Sequence, residues 1–159
     1  MELNEASLIE SEFTVRNLRL PKEVMETRRS AIRWLALSLG ILNPGESRLS
    51  AIAVLDAMVY FQFVKNYDPT VKDLVDYINK NWEGMNEKTL RYHLLQMKKM
   101  GFVENSQAKF YFRQPSVGDR FDVDNWVTQM LDSQYKQVAV KIGEVLKDLK
   151  SKNAFEGIK

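Results

Sequence analysis

The sequence predicts a mainly α-helical protein with a small β-hairpin, an N-terminal helix ahead of the hairpin-bearing core and a long C-terminal helix behind it. Three observations carry that expectation. Apolar residues recur at helical spacing in several segments between Pro21 and Met100. Gly84 and Gly101 stand where helices stop, and the aromatic stretch that follows Gly101 has the character of two short strands. The last third of the chain then repeats apolar residues at alternating spacings of four and three.

Composition narrows the class. A chain of 159 residues has room for one core with arms, not for two large domains. Its 45% apolar and 28% charged content is that of a globular protein, and 4 prolines with 7 glycines leave little material for long linkers. Cysteine is absent, which removes disulfides, thiolate metal sites, iron–sulfur clusters and cysteine nucleophiles. The N-terminus carries Glu2, Glu5, Glu10 and Glu12 and lacks the basic start and apolar centre of a signal peptide. The most apolar stretch, Leu49 to Val64, is interrupted by Asp56 and Gln62 and is shorter than the roughly 20 residues that span a bilayer. A cytoplasmic protein with no membrane partner is therefore expected.

The elements follow in order. Pro21 is expected as a first helical residue, and no breaker follows before Gly40. Asn43-Pro44-Gly45 marks a turn, with Ser47 as N-cap of a second helix reaching about Lys65. Apolar residues cover nearly the whole circumference of that helix, so it should be central to the core. Asp68 as N-cap and Pro69 as first residue open a third helix, on which Val71, Leu74 and Ile78 share a face through to Trp82. Gly84 is expected in the left-handed position that ends this helix, and Asn86 caps the next, Glu87 to Met100. Gly101 ends the fourth helix, with Lys98 and Lys99 complementing its dipole. Residues 102–105 and 109–113, joined by Ser106, Gln107 and Ala108, read as a hairpin closed by Pro115 to Asp119. A last helix from about Asp122 to Lys150 carries the seam Leu131, Tyr135, Val138, Ile142, Val145 and Leu149, which suits either a second copy of the chain or the body of the same one. The expected organisation is an arm and helix in 1–46, a core domain in 47–118 and a C-terminal dimerisation helix and tail in 119–159.

The net charge of +2 is small, but its distribution is uneven. Between Trp82 and Gln114 six bases face three acids, whereas between Asp119 and Lys150 five bases face six acids. Helix, helix, tight turn, helix and aromatic hairpin, in that order from Ser47 to Gln114, is the order of a winged helix-turn-helix. The residues His93-Leu94, Met97 and Gly101-Phe102-Val103 resemble the recognition helix and wing start of arsenic-repressor-type and related small transcriptional regulators. The resemblance implies a double-stranded-DNA-binding regulator that acts as a homodimer. Metal sensing through cysteine, frequent among those regulators, is not implied for a chain that has none.

Helical geometry, at about 100° per residue, sends Leu90, Leu94 and Met97 to the core and Lys88, Tyr92 and Lys99 to the opposite face, with Arg91 and Gln96 on its flanks. Lys88, Thr89, Arg91 and Tyr92 are the expected contacts to base edges or phosphates, with Gln96 as a peripheral reader and Lys99 a further DNA-binding candidate on the exposed face, and the hairpin offers Gln107, Lys109 and Arg113. Arg28, Arg29 and Arg33 offer a further basic cluster, for phosphates or for ion pairs with Glu26, Glu46 or an acidic partner surface. His93, the single histidine, reads as a hydrogen-bonded, partly buried structural ring, and the tryptophans and most other aromatics as core. No phosphate-binding loop, dinucleotide fingerprint or nucleophile–base pair occurs, so no catalysis, cofactor or metal is expected, and no effector ligand is legible. A winged helix used as a protein–protein adaptor is the alternative that the near-neutral charge favours.

Overall fold

The computed structural model describes residues 3–152. The protein is mainly helical with one two-stranded antiparallel hairpin, and it divides into two units that part between Arg113 and Gln114.

The first unit opens with a short 3-10 turn, Glu5–Leu8, and an extended arm. Where one unbroken helix from Pro21 was expected, the chain makes a 3-10 turn over Lys22–Glu26 and then starts α1 (Arg28–Ser38). The break is local chemistry: Thr27 is extended, and its hydroxyl accepts the Ser30 N–H at 3.0 Å, which makes it the true N-cap. The arm is fastened to the other end of α1. Arg16 exchanges backbone and hydroxyl bonds with Ser38, and its guanidinium donates to the carbonyls of Leu37 and Leu42, both at 2.8 Å. Those bonds satisfy the carbonyl of the last helical turn and one just beyond it. Gly40 permits the approach, because it is left-handed (φ +73°) and a Cβ there would meet Thr14 Cβ at 2.9 Å.

Helix α2 (Ser50–Val59) continues as a π-helical turn, Tyr60–Lys65, and stops at the left-handed Asn66. Ser47 is not its cap: the helix begins three residues later, and Ser50 Oγ bonds His93 Nε2. Every residue from Ile52 to Met58 is buried, including Asp56 at 2% exposure. That carboxylate accepts three hydrogen bonds, from Arg28 Nε (2.6 Å), Tyr77 Oη (2.8 Å) and Trp82 Nε1 (2.9 Å). It thereby ties α1 and α2 to α3 (Val71–Asn81) and to Trp82, the residue at its end.

The N-cap of α3 is Thr70 rather than Asp68. Thr70 and Asp73 form a reciprocal capping box, Thr70 Oγ1 accepting from Asp73 N and Asp73 Oδ2 from Thr70 N. Two orphan donors are satisfied at once, which outweighs the alternative cap two residues earlier. At the far end, Trp82 is extended and Gly84 does not take the left-handed conformation expected of it; Asn79 Oδ1 holds the turn by accepting the Met85 N–H at 3.1 Å.

Helix α4 (Glu87–Lys99) is bounded as its sequence dictates. Asn86 Oδ1 accepts the Thr89 N–H at 2.8 Å, and Gly101 (φ +86°) closes a Schellman turn in which Phe102 N bonds Met97 O and Gly101 N bonds Lys98 O. The hairpin pairs β1 (Val103–Ser106) with β2 (Lys109–Phe112), from Val103 opposite Phe112 to Ser106 opposite Lys109. Its loop is two residues rather than three, since Ser106 belongs to the ladder. Gln107 (φ +52°) and Ala108 (φ +63°) are both left-handed, the demand of a type I′ turn, yet neither is glycine, asparagine or aspartate. A Cβ in that region costs about 1 kcal/mol per residue. Ala108→Gly should raise unfolding stability by about 0.5–1 kcal/mol, read as a higher urea midpoint at unchanged slope. The hairpin also reaches the start of α3, with Phe110 N donating to Pro69 O (2.9 Å) and Thr70 bridging Lys109.

In the second unit Gly118 (φ +82°) brings the chain against Asn125, whose Nδ2 donates to the carbonyls of Val117 and Asp119. Asp122 caps α5 (Val123–Val127), which runs through a π turn, Thr128–Asp132, into α6 (Ser133–Ser151). The expected continuous helix is thus present with one widened turn, where Ser133 Oγ donates to the Gln129 carbonyl. Trp126 and Met130 are buried, but no residue of α6 is. Tyr135, Val138, Ile142, Val145 and Leu149 are all exposed, as are Val140 and Leu146. Leu131 is half-buried. No helix among the described residues is long and apolar enough to cross a membrane.

Candidate nucleic-acid interface

Helix α4 is oriented by its apolar stripe. Leu90, Leu94 and Met97 are almost completely buried, and His93 lies beside them. The opposite face then has no choice but to point outward: Lys88, Tyr92, Leu95 and Lys99 are exposed along it. Three of these were legible as the outward face. Leu95, 48% exposed in the middle of the face, was not singled out.

The other expected contacts fall on the flanks. Arg91 is exposed but folds back on its own helix, its Nε 2.9 Å from Glu87 Oε1. It lines a groove of about 470 Å³ between α3, α4 and the hairpin, with Lys72, Val75, Glu87, Asn105 and Phe110. Thr89 is half-buried and turns to the elbow between α3 and α4, near Arg29, Trp82 and Met85. Gln96, also half-buried, lies with Tyr92 and His93 along a smaller groove, about 200 Å³, on the side of Arg48. On the hairpin Gln107 is at the tip, Lys109 is exposed in the ladder, and Arg113 is exposed and 3.9 Å from Glu104. Lys98 donates to Asn105 Oδ1 at 2.7 Å, which fixes β1 to the end of α4.

Arg48 and Lys72 were not anticipated. Both are cations next to α4 only through the fold, since neither stands on α4 or on the hairpin. The basic cluster of α1 is the converse case. Arg28 is engaged by Asp56, Arg33 donates to the Glu46 backbone carbonyl (2.8 Å), and Arg29 lies 4.1 Å over the Trp82 ring. Their partners are neither the Glu26 nor the Glu46 carboxylate, and the three bind parts of their own unit.

His93 is held by burial. Its Nε2 is 2.9 Å from Ser50 Oγ, and desolvation, with the Arg48 charge second, depresses its pKa below the ordinary value of 6.5. The unfolded chain therefore takes up this proton at a higher pH than the folded one. Stability is fully present above about pH 6.5 and falls as pH drops below it toward the folded value. His93→Gln, which keeps a group for Ser50, should flatten the pH dependence of the urea midpoint between about pH 5 and 7; an unchanged slope would assign it to other groups.

Among the described residues no group of three or more histidines, aspartates or glutamates is placed to hold a metal ion. No family model matches the chain, and neither a curated protein nor a solved structure matches it.

Proposed function

We propose that the protein is a winged helix-turn-helix transcriptional regulator, binding double-stranded DNA sequence-specifically as a homodimer in the cytoplasm and catalysing nothing. In this reading α3 and α4 are the helix-turn-helix, α4 is the recognition helix and the β1–β2 hairpin is the wing. The observation that carries it is the outward face of α4, where Lys88, Tyr92 and Lys99 stand together next to a hairpin that exposes Gln107, Lys109 and Arg113. Cations and a stacking ring on a helix that the core holds rigidly are what a major groove and its phosphates take. The bridge between Thr70 and Lys109 supports the same reading, because it ties the hairpin to the residue that caps α3. Thr89 and Gln96 contribute from the flanks, and Arg91 reaches DNA on exchanging Glu87 for a phosphate or a guanine edge.

The test is selection from random duplexes at two salt concentrations, followed by sequencing of what is retained. A two-fold symmetric motif is the expected result. Lys88→Ala with Lys99→Ala should then lower the slope of log affinity against log salt by about 2, one unit for each lost phosphate contact. Binding without a motif would overturn sequence specificity. A second reading, a winged helix that docks another protein, is favoured by Leu95, an apolar side chain in the centre of the same face. Elution from heparin in the lowest salt would favour that reading.

A further inference from the structure

Helix α6 exposes a long apolar face, and its charges specify how a second copy would meet it. The spacing puts Tyr135, Ile142 and Leu149 at a positions of a heptad and Leu131, Val138 and Val145 at d. Flanking them, Gln134, Lys141 and Asp148 are at g and Asp132, Ala139 and Leu146 at e.

In a parallel pair each a and d residue meets itself, while g of one copy meets e of the other. Lys141 would then face Leu146, and Gln134 would face Ala139. No opposite charges meet, and Leu146 is left against an ammonium group. In an antiparallel pair, a meets d, g meets g and e meets e. Sliding the two copies by whole heptads gives few registers. One brings Lys141 onto Lys141, and another brings Asp148 onto Asp148. The register between them brings Lys141 onto Asp148 twice, Ile142 onto Val145 twice, Val138 onto Leu149 twice and Leu146 onto Ala139 twice.

We propose that α6 forms an antiparallel helix pair with a second copy of this chain, its two-fold axis crossing near Gly143 and Glu144, locked by reciprocal Lys141–Asp148 bridges. The proposal rests on the homodimer reading above and adds its orientation and register. Two separate features agree on it. Charge complementarity rejects the neighbouring registers by like-charge contact, and Leu146, exposed although it lies off the a and d seam, gains a small partner residue in Ala139. Asp148 already accepts from Lys152 of its own helix at 2.7 Å, and a carboxylate has acceptor sites for a second cation.

The chain has no cysteine, so introduced thiols report without interference. Full-length Val138→Cys and Leu149→Cys chains carrying different tags are mixed and oxidised. The expected product is the mixed disulfide, with no disulfide between two Val138→Cys chains, because those positions lie about 16 Å apart along an antiparallel pair. A Val138→Cys homodimer would overturn the orientation while leaving the dimer itself intact. A monomeric mass for the unaltered chain in light scattering would overturn both. Independently of oxidation, Lys141→Glu should weaken dimerisation about tenfold and Lys141→Glu with Asp148→Lys should restore it. Failure of the double exchange to restore it would overturn the register. None of these measurements uses DNA, so a protein that pairs in this way yet selects no motif would refute only the DNA-binding reading.

Discussion

Replacing Asp56 by alanine is expected to cost the first unit about 3 kcal/mol, seen as a lower urea midpoint at unchanged slope. The carboxylate is 2% exposed and receives three donors, so its removal strands the Tyr77 hydroxyl and the Trp82 indole N–H and leaves a cavity between helices. Arg28 contributes less to the loss, because half of its side chain is in solvent and rehydrates. Asp56→Asn keeps the shape but replaces one carboxylate oxygen by an amide donor, set against either Arg28 Nε or the Tyr77 and Trp82 donors, and should cost part of that loss. A second reading is spectroscopic. Burial, followed by the hydrogen bond to the Asp56 carboxylate and its charge, pushes the Tyr77 phenol up to about 12. A raised folded value stabilises the fold below about pH 10, the ordinary value, and that contribution is lost as pH climbs through 12. In Asp56→Ala the ultraviolet titration of Tyr77 should move down toward the ordinary tyrosine range, and an unmoved titration would leave burial as the sole cause.

The same cluster marks the boundary of what a sequence makes legible. Asn86 and Gly101 were readable because each acts on backbone within a few residues of itself. Asp56 stood out only as an interruption in an apolar helix; its partners lie 21 to 28 residues away along the chain, beyond the reach of any periodicity. Arg16, which fastens the arm to α1 across 21 to 27 residues, was hidden for the same reason. The two wrong caps, Ser47 and Asp68, failed in a different way. Asp68 stood near a better solution, the capping box at Thr70, whereas the helix expected to be capped by Ser47 starts at Ser50 with no side-chain cap bond from Leu49. The hairpin loop was miscounted because Gln107 and Ala108 carry none of the usual chemistry of left-handed turns.

For the candidate interface, periodicity named the outward face of α4 correctly and could not weigh the members of that face. Lys88, Tyr92 and Lys99 follow from the stripe of Leu90, Leu94 and Met97 by geometry alone. The ion pair of Arg91 with Glu87 was also open to reading, being an i, i+4 pair, and it lowers the reach of Arg91 in the free protein. Arg48 and Lys72 required the fold. They widen the basic rim on either side of α4 beyond the six bases counted between Trp82 and Gln114.

Val138→Asp combined with Ile142→Asp should abolish the proposed homodimer and, with it, the proposed tight binding to a two-fold symmetric site. Both side chains are exposed in the single chain, 42% for Val138 and 54% for Ile142, so the substitutions should leave its circular dichroism and urea midpoint nearly unchanged. In a paired α6 they would put four carboxylates into the central layers, each desolvated without a partner, at a cost of several kcal/mol in all. Light scattering at micromolar concentration should then report the mass of one chain. Affinity for a single half-site should be retained, because Lys88, Tyr92 and Lys99 belong to the other unit, whereas affinity for the full symmetric site should fall by at least about 10²-fold as the linkage between two half-sites is lost. A dimeric mass in this variant would remove α6 as the interface. A monomer that binds the full site as tightly as the parent would separate dimerisation from recognition and leave α4 acting alone.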